Sequence, residues 1–478
     1  MSAFDFVGAA YEAPSLTQDA QECINWRPEV DMTKPEGSRG VVALYPTPGF
    51  TLAAQLINGA VRGMHTVSGE TMMIACVGVI VYSLDANMNI TQIGTLLTNS
   101  GRIWIDDNGL QIYFTDGANR YACTIANPAG TFAPVTDGAF TGGSSLGVAD
   151  NYFVYPEPNS QQWSASNQLA TTTNALSFSS KDGAPDNIVA LTVNNRYIYL
   201  LGEFSSEVWI DVGTFPFPFQ RIPGSNTQHG CAAANSVYNL GESFAFLAKD
   251  DRGQGIVVQT QGYAFKRIST HAVENSLLGK VISDAIAYTY QIEGHECYVL
   301  ILPTADLTWV YDLATGLWHK WMSLDIDQQF HRHRSNCATT FNGKVVVGDY
   351  ENGRLYYLDN NVYTEANMPI RRLRRCQHLT SDLQRQFFEE LQIQFQPGVG
   401  LQTGQGSDPQ AMVRWSDDGG FTYGNEHWKT LGKQGKYKNR AMWRRMGWGR
   451  DRIYEVSMTD PVKAVIVSAN LKATAGVN

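Results

Sequence analysis

The sequence has few charged residues and no long apolar run. Charged residues make up only 17% of the 478 positions, against 43% hydrophobic residues. Nothing approaches the roughly 20 consecutive apolar residues that a membrane-spanning helix needs, so no membrane anchor is expected. The opening MSAFDFVGAAYEAP has neither a basic start nor a long apolar stretch, so we expect no signal peptide. Helical periodicity is almost absent, which argues against a helical bundle.

Cysteine patterns and catalytic motifs are also missing. The seven cysteines are scattered singly, without a C-x-x-C pair. This arrangement argues against a disulfide framework and favours synthesis in a reducing compartment. The sequence contains no G-x-x-x-x-G-K-[ST], H-E-x-x-H or G-x-S-x-G motif. We therefore expect no catalytic residues, no cofactor and no metal.

Short apolar runs separated by Gly, Asn and Asp turns dominate the chain, which predicts an all-β fold. The 44 glycines and the many Tyr, Phe and Trp residues fit that class. Short apolar runs, several of which end in Gly or Asp, recur about every 40 to 50 residues, the spacing of propeller blades. They predict the buried inner strands of a six- or seven-bladed β-propeller; a pair of β-sandwiches is the alternative. The runs are Met72–Gly78, Gln111–Asp116, Asn151–Tyr155, Arg196–Gly202, Ser243–Lys249, Glu296–Leu302 and Lys344–Asp349.

The pattern divides the chain into three parts. Residues 1–54 lack periodicity and predict an extended N-terminal arm lying across another surface. Residues 55–365 hold the propeller repeats. Residues 366–478 contain strands that alternate with period two, which predicts an additional C-terminal antiparallel domain of β-sandwich type.

Charge is distributed unevenly between these parts. Residues 371–478 carry 17 of the 36 basic and 10 of the 45 acidic residues, a net charge of +7. The rest of the chain carries 19 basic and 35 acidic residues, a net charge of −16. Such asymmetry suggests an interface between unlike surfaces, although solvated faces without a partner are the alternative.

The octet Ser416–Tyr423 (SDDGGFTY) matches the Asp box of sialidase propellers. Mechanically the motif is a hairpin turn, in which an aspartate accepts backbone N–H bonds and glycines supply positive φ. We expect Tyr423 and Trp428 to pack behind it. The single copy lies outside the repeats, and sialidase chemistry would also need converging arginines and a tyrosine nucleophile. The octet therefore predicts a turn and no chemistry at Asp417 or Asp418.

His331, His333 and Cys337 form a second candidate, because histidines two apart on a strand share a face and could chelate a metal. Arg332 and Arg334 lie between and beside the histidines and would repel a cation. We therefore interpret this segment as a polar loop or a subunit contact.

Two basic clusters are candidates for a subunit or partner interface. Arginine interleaved with tryptophan suits a protein hot spot or a phosphate backbone. The alternative is an exposed strand whose charges prevent edge pairing. The candidate residues are Arg371, Arg372, Arg374, Arg375, Trp443, Arg444, Arg445 and Trp448.

Several segments, taken in their order along the chain, resemble the packaged-DNA stabilisation proteins, which are the tail hub or nozzle proteins of short-tailed phages. The resemblance rests on Cys23–Glu29 (CINWRPE), Leu44–Phe50 (LYPTPGF), Gly202–Trp209 (GEFSSEVW) and Glu296–Pro303 (ECYVLILP) with Val310–Asp312. It continues from Ser416–Gly420 through WRRMG to Ala464–Leu471.

That resemblance implies a structural virion protein without catalytic residues. It implies a hexameric ring below the portal and its adaptor, which continues the DNA channel and retains the packaged genome. Tail fibres or spikes and the tail tip would bind to it, and double-stranded DNA would pass close by without specific contacts. The expected location is the virion tail, after assembly in the host cytoplasm. A sialidase-like enzyme or a glycan-binding propeller is the alternative function.

Overall fold

The computed structural model describes residues 2–35, 41–137, 142–215, 217–249 and 252–476. These residues form an all-β protein, which confirms the predicted class. Helix is confined to α1 (Pro128–Thr131), α2 (His271–Leu277) and one 3-10 turn at Ala234–Ser236. No helix among the described residues has the length and apolarity to cross a membrane.

The N-terminal segment is built into several sheets. Its strands are β1 (Ser2–Phe4), β2 (Tyr11–Glu12), β3 (Ala20–Gln21), β4 (Cys23–Ile24), β5 (Trp26–Val30), β6 (Val42–Pro46) and β7 (Gly49–Gln55). Only β2 and β3 form a separate two-stranded sheet, whereas the others join sheets of the propeller or of the C-terminal domain. The prediction of an arm lying across a surface is corrected accordingly, because backbone pairing places these strands inside the sheets.

Seven antiparallel sheets of the described residues follow one another as propeller blades. The first three blades contain β8 (Val61–Thr66), β9 (Met73–Val77), β10 (Ile80–Leu84) and β11 (Ile90–Thr95); β12 (Trp104–Asp107), β13 (Gln111–Thr115), β14 (Arg120–Thr124) and β15 (Ala133–Pro134); and β16 (Gly147–Ala149), β17 (Tyr152–Pro156), β18 (Gln162–Ala165) and β19 (Phe178–Ser180).

Blades four to six continue the series along the chain. They contain β20 (Ile188–Asn194), β21 (Tyr197–Gly202), β22 (Ser206–Asp211) and β23 (Phe219–Arg221); β24 (Gly230–Cys231), β25 (Tyr238–Leu240), β26 (Ser243–Lys249), β27 (Gly255–Gln261) and β28 (Ala264–Arg267); and β29 (Ile286–Ile292), β30 (His295–Leu302), β31 (Leu307–Asp312) and β32 (Leu317–Lys320).

The seventh blade draws its outer strand from the N-terminal segment. After a hairpin of β33 (Met322–Leu324) and β34 (Phe330–Arg332), the chain forms β35 (Ser335–Phe341), β36 (Lys344–Asp349) and β37 (Arg354–Asp359). Strand β7 pairs antiparallel with β37 and completes the blade. The first strand of this blade, β35, contacts β8 of the first blade, so the ring of blades closes. Seven blades decide between the two predicted numbers.

The apolar runs of the sequence lie in the second strand of each blade. Strand β9 is buried at every position, and β30 is buried at all but one. A second strand has a strand on either side and a neighbouring blade on each face, so apolar residues suit both faces. The first strands, including β8, β12 and β35, contact one another around the axis. The prediction that these runs form the innermost strands is therefore corrected: they form the second strand of each blade, and the first strand is innermost.

The C-terminal residues form two packed sheets. The strands are β38 (Thr364–Glu365), β39 (Met368–Pro369), β40 (Arg372–Arg375), β41 (Leu379–Thr380), β42 (Gln386–Phe395), β43 (Gln410–Ser416), β44 (His427–Thr430), β45 (Ala441–Arg444), β46 (Trp448–Gly449), β47 (Asp451–Met458) and β48 (Ile466–Ala475). One sheet has the order β45-β42-β48-β6-β5, with β1 on β48 and β46 on β42. The other has the order β4-β40-β47-β43-β44, with β41 on β47. The predicted sandwich is thus present; the division of the chain at residues 365 and 366 stays a prediction.

The propeller and the sandwich are joined through the N-terminal segment. Strand β4 pairs with β32 of blade six on one side and with β40 of the sandwich on the other. Asn25, fully buried and at a φ of 58°, follows this strand. Its amide nitrogen donates to the carbonyl oxygens of Met322 (2.8 Å) and Arg371 (2.7 Å), and its oxygen accepts from the Met322 N–H at 2.9 Å. One side chain therefore bonds to chain segments from both modules.

Candidate assembly interface

The Asp-box octet forms a hairpin turn between β43 and β44. The Asp418 carboxylate accepts hydrogen bonds from the Ser416 hydroxyl (2.6 Å), the Thr422 hydroxyl (2.6 Å) and the Phe421 N–H (3.0 Å). Gly419 and Gly420 adopt φ values of 78° and 95°, which favour glycine. The bonds from Ser416 and Thr422 lower the pKa of Asp418 to about 2. An ionised carboxylate whose oxygens are held by its own turn fits the predicted structural role.

Asp417 ties the turn to the strand that follows the second basic cluster. Its carboxylate accepts two hydrogen bonds from the guanidinium of Arg452, at 2.6 and 2.7 Å. Arg452 is buried and also donates to the carbonyl oxygens of Met446 (2.7 Å) and Trp448 (3.2 Å). Asp418 thus forms the turn, and Asp417 is the ion-pair partner of Arg452.

The two aromatic residues expected behind the turn have different positions. The Tyr423 ring lies 5.0 Å from the guanidinium carbons of both Arg375 and Arg414, in cation–π geometry. Trp428 does not pack behind the turn, because it lies on β44 with 57% of its surface exposed. That half of the packing expectation is wrong.

The arginines of the first cluster lie on β40 and directly before it, and Arg372 and Arg374 are buried. Arg374 donates to the carbonyl oxygens of Phe6 and Ala9, both at 2.8 Å. Arg372 donates to the carbonyl oxygen of Asp460 at 3.2 Å, and desolvation lowers its pKa to about 10. Both guanidinium groups are buried and donate hydrogen bonds to acceptors of the same chain. The prediction that Arg372 and Arg374 contact a partner is therefore corrected.

Arg371 and Arg375 are half-buried and also have partners in the same chain. Arg375 donates to Glu455 at 2.7 Å, and the same carboxylate accepts from Arg414 at 2.6 Å. Arg371 lies 3.9 Å from Glu426 and stacks over Phe330 at 5.6 Å. Within the first cluster, Arg374 thus binds the N-terminal segment, whereas Arg371, Arg372 and Arg375 have hydrogen-bond or ion-pair partners in the sandwich.

The second cluster is more accessible. Trp443 is buried and donates its indole N–H to the His427 carbonyl oxygen at 2.7 Å, which links β45 to β44. Arg444 and Arg445 are exposed, and Arg444 donates to Glu390 at 2.7 Å. Trp448 is half exposed and stacks on Arg385, with 4.1 Å between the guanidinium carbon and the ring centre. Arg444, Arg445 and Trp448 remain available to a partner.

A groove of about 650 Å³ lies between β44 and β45. Strand β44 ends one sandwich sheet and β45 ends the other, so the groove runs between two sheet edges. It is lined by aromatic and basic side chains together with Glu426, Met442 and Met446. The aromatic and basic residues are Trp415, His427, Trp428, Lys429, Arg440, Trp443, Arg444 and Arg445.

The sequence interpretation missed the loop beside this groove. Residues 429–445 contain seven Lys or Arg residues and no Asp or Glu. Every residue from 433 to 440 is exposed, including Tyr437 at 71% of its surface. The signal was present as a run of charge of one sign, but the lysines are spaced by two to four residues and do not form an obvious cluster.

A second cavity, of about 390 Å³, lies where the first strands of several blades converge. His65 and Asp106 line it, and with Asp107 they form a group of three side chains that could hold a metal ion. His65 is already hydrogen-bonded to Asp107 at 2.7 Å, across the first two blades. Burial raises the pKa of Asp107, but hydrogen bonds from His65 and Ser68 outweigh it and bring the pKa to about 2. An inter-blade hydrogen bond accounts for this pair.

The histidine candidate separates into two unrelated positions. His333 is buried, stacks on Trp321 with 3.7 Å between ring centres, and is hydrogen-bonded to Ser335 at 2.7 Å. His331 is half-buried and lies between Asp306 (2.7 Å) and Asp325 (3.2 Å). Because the two rings have separate partners, they do not converge on one ligand. All seven cysteines, Cys337 among them, are free and buried.

A closed seven-bladed propeller carrying a β-sandwich defines the class of the protein. The model of the bacteriophage P22 Gp10 β-propeller matches residues 25–363, and the model of the P22 Gp10 β-sandwich matches residues 359–474. The chain belongs to the bacteriophage P22 Gp10 family, which confirms the resemblance to phage packaged-DNA stabilisation and tail nozzle proteins. Members of this family are structural proteins of the phage tail.

Comparison with individual proteins adds only distant similarities. No curated protein matches the chain. Among solved structures, the N-terminal domain of Nup159 is similar at 12% identity and a TM-score of 0.42, covering 70% of this chain and 98% of its own. The Pan2 WD40 domain of Neurospora crassa is similar at 7% identity and a TM-score of 0.41, and the match covers 63% of this chain and 89% of that domain. The extracellular domain of BT4673 from B. thetaiotaomicron is similar at 14% identity and a TM-score of 0.44, and the match covers 83% of this chain and 47% of that domain.

Proposed function

We propose that this protein is a subunit of the tail hub of a short-tailed phage. Six copies form a closed ring below the portal and its adaptor, continue the DNA channel and help to retain the packaged genome. Tail fibres or spikes and the tail tip bind to this ring, which is part of the virion and assembles in the host cytoplasm. The observation that supports the proposal most is membership of one phage tail family along the propeller and the sandwich together.

The second cavity, where the first strands of the blades converge, is too small for a DNA duplex. A volume of about 390 Å³ equals a cube about 7 Å on an edge, whereas the major groove of a duplex alone is about 12 Å wide. The duplex therefore passes along the axis of the ring, between subunits, and not through a propeller. The net charge of −16 outside residues 371–478 suits such a conduit, because a basic lining would hold the phosphates.

Electron microscopy of the purified chain with the portal-adaptor ring of its phage tests this function. We expect a closed cyclic ring of six subunits, about 317 kDa for six chains of 52.8 kDa, with an open axis. The ring should seat on the adaptor with each propeller as a separate ring of density. A chain that stays monomeric beside the adaptor at high concentration would contradict the proposal.

A further inference from the structure

A hairpin of the sandwich carries a run of charge of one sign. We call residues 427–445, which comprise β44, β45 and the loop between them, the cationic hairpin. From residue 429 onward it carries seven Lys or Arg residues without a single acidic one. Of these seven, Arg444 alone has an ion pair among the described residues, with Glu390. Six positive charges are therefore not neutralised by the chain itself.

Aromatic surface accompanies this charge. Trp428 and Tyr437 are exposed on the hairpin, and Trp448 lies just beyond it with 50% of its surface exposed. Tryptophan, tyrosine and arginine are the residue types that contribute most to binding energy at protein interfaces. A surface that combines all three with unpaired lysines has the composition of a protein contact.

Backbone geometry adds a second reason to expect a bound chain. Strands β44 and β45 each have a strand partner on one side only among the described residues, and on β44 the carbonyl oxygens of His427 and Thr430 accept from the side chains of Trp443 and Asn439. An exposed sheet edge presents unpaired N–H and C=O groups, which an extended segment of another chain can bind. The groove of about 650 Å³ between the two edges gives such a segment room.

The charge of the remaining chain identifies the partner. Outside residues 371–478 the protein has a net charge of −16, so a second copy offers a strongly acidic body to a hairpin of opposite sign. A closed ring requires two different surfaces of the subunit to meet head to tail, and unlike charges at its two ends meet this requirement.

A DNA duplex fits the observations less well. Exposed tryptophan and tyrosine stack on the bases of single strands, but the bases of a duplex already stack on each other. Six free cations on the wall of a conduit would also retain the duplex that must leave it. We propose that the cationic hairpin docks on the acidic propeller of a neighbouring copy and forms the ring contact. This inference rests on the proposed function, because it presupposes a ring.

Charge reversal on the loop tests the contact. The variant with Lys433→Glu, Lys436→Glu and Lys438→Glu changes three exposed side chains, so the folded monomer should keep its melting temperature. The matched control carries Lys34→Glu, Lys463→Glu and Lys472→Glu, which are also exposed, lie outside both the hairpin and the propeller, and change the net charge equally. Ring formation on the adaptor is measured by mass photometry at low and at high salt. We expect the hairpin variant to weaken ring formation by about tenfold or more, the control to behave as wild type, and high salt to weaken the wild-type ring.

The outcomes separate this inference from the proposed function. If wild type forms no ring, the proposed function fails and the hairpin contact fails with it. If wild type and hairpin variant form rings equally well, the hairpin contact alone is refuted. A hairpin variant that keeps its rings but no longer binds short duplex DNA, measured by fluorescence anisotropy, would make DNA the ligand and would also refute the contact.

A photo-cross-linker at Tyr437 gives a positive readout that does not depend on charge. In assembled rings it should form cross-links between copies whose peptides map to residues 55–365. Cross-links that map only to residues 371–478 of the neighbouring copy would place a different surface beside the hairpin and overturn the proposal.

Discussion

Replacing Arg452 with methionine should destabilise the sandwich far more than the same replacement at Arg444, although each arginine binds one carboxylate. Arg452 is 1% exposed, and its guanidinium holds Asp417 as well as two backbone carbonyl oxygens. The side chain of Arg444 is 68% exposed and holds only Glu390. Burial therefore decides the size of the effect, because water can replace a lost partner at the surface but not inside.

The magnitude follows from the groups that the substitution leaves without a donor. Removing one member of a buried ion pair costs about 3–5 kcal/mol. Asp417 keeps 38% of its side-chain surface exposed, so water solvates part of the stranded carboxylate and the lower end, about 3 kcal/mol, applies. Methionine retains part of the contact with the Phe388 ring, which lies 4.2 Å from the guanidinium carbon. Arg444→Met should cost about 0.2–1 kcal/mol.

Native-state hydrogen exchange followed by mass spectrometry measures the two effects in the full chain. This method reports the opening of individual segments and does not require the two modules to unfold together. A loss of about 3 kcal/mol corresponds to about 100-fold faster exchange through opening, since 1.4 kcal/mol is tenfold. We expect that acceleration in peptides of β47 and β43 for Arg452→Met, and less than about fivefold for Arg444→Met.

Peptides from β17 in blade three are the internal control, because that blade makes no contact with Arg452. Equal exchange in β47 for both variants would refute the claim that the Asp417–Arg452 pair stabilises the hairpin. Acceleration in β17 as large as in β47 would show a global effect and refute the local one.

Three further results are expected. His295 is hydrogen-bonded to Asp312 and lies 2.8 Å from Glu29, and the bond to Asp312 raises the pKa of His295. The folded state therefore holds the proton more tightly than the unfolded chain does. The stability that this proton contributes is full below the unfolded pKa of about 6.5 and is lost as the pH rises through the raised pKa of the folded state. The melting temperature should therefore fall between pH 6 and pH 8 in wild type, by about the amount that His295→Gln abolishes; an unchanged profile in the variant would exclude this histidine. Gly49→Ala places a Cβ 2.6 Å or less from two backbone carbonyl oxygens, so β7 should detach from blade seven. Limited proteolysis should then cut the chain after blade seven; a chain that stays intact would contradict the role of β7 in closing the propeller. Asp418→Ala should speed exchange in the turn at least tenfold while leaving ring formation unchanged, and a loss of rings would contradict its purely local role.

Much of the propeller could be predicted because burial leaves a local signature. The second strand of every blade is enclosed on both faces, and its sequence must therefore be apolar at successive positions, as in MIACV of β9. Turn residues then fix the blade spacing. The first strands face the axis with mixed residues, such as VRGMHT of β8, and so the sequence gives them no comparable pattern.

The closure of the ring could not be predicted in this way. Strand β7 pairs with β37 across about 300 residues of chain, as in Gln55 with Arg354. Such pairing depends on where the propeller brings its ends, and no periodicity within GFTLAAQ records it. The same reason explains why the N-terminal segment was interpreted as an arm, since its strands are two to seven residues long and β1, β4, β6 and β7 pair with distant partners.

The candidate interface shows the limit of composition. Arginine is rarely buried without a partner, so a run such as RRLRR favours a surface interpretation. In β40, however, Arg374 donates to carbonyl oxygens of the N-terminal segment, whose loops lack regular partners. Those acceptors belong to residues more than 360 positions away, and only the three-dimensional arrangement reveals them.

The N-terminal segment explains how two modules can act as one subunit. Strand β4 extends the sheet of blade six into the sandwich, β5 and β6 complete the opposite sandwich sheet, and β7 closes the propeller. Asn25 binds backbone groups of both modules, and Trp26 donates its indole N–H to the Ala464 carbonyl oxygen at 2.7 Å. A force that separates the modules must therefore break sheet hydrogen bonds and buried side-chain bonds together. In the ring that we propose, such a joint would transmit load from the sandwich, which carries the cationic hairpin, into the propeller on which the next copy would dock.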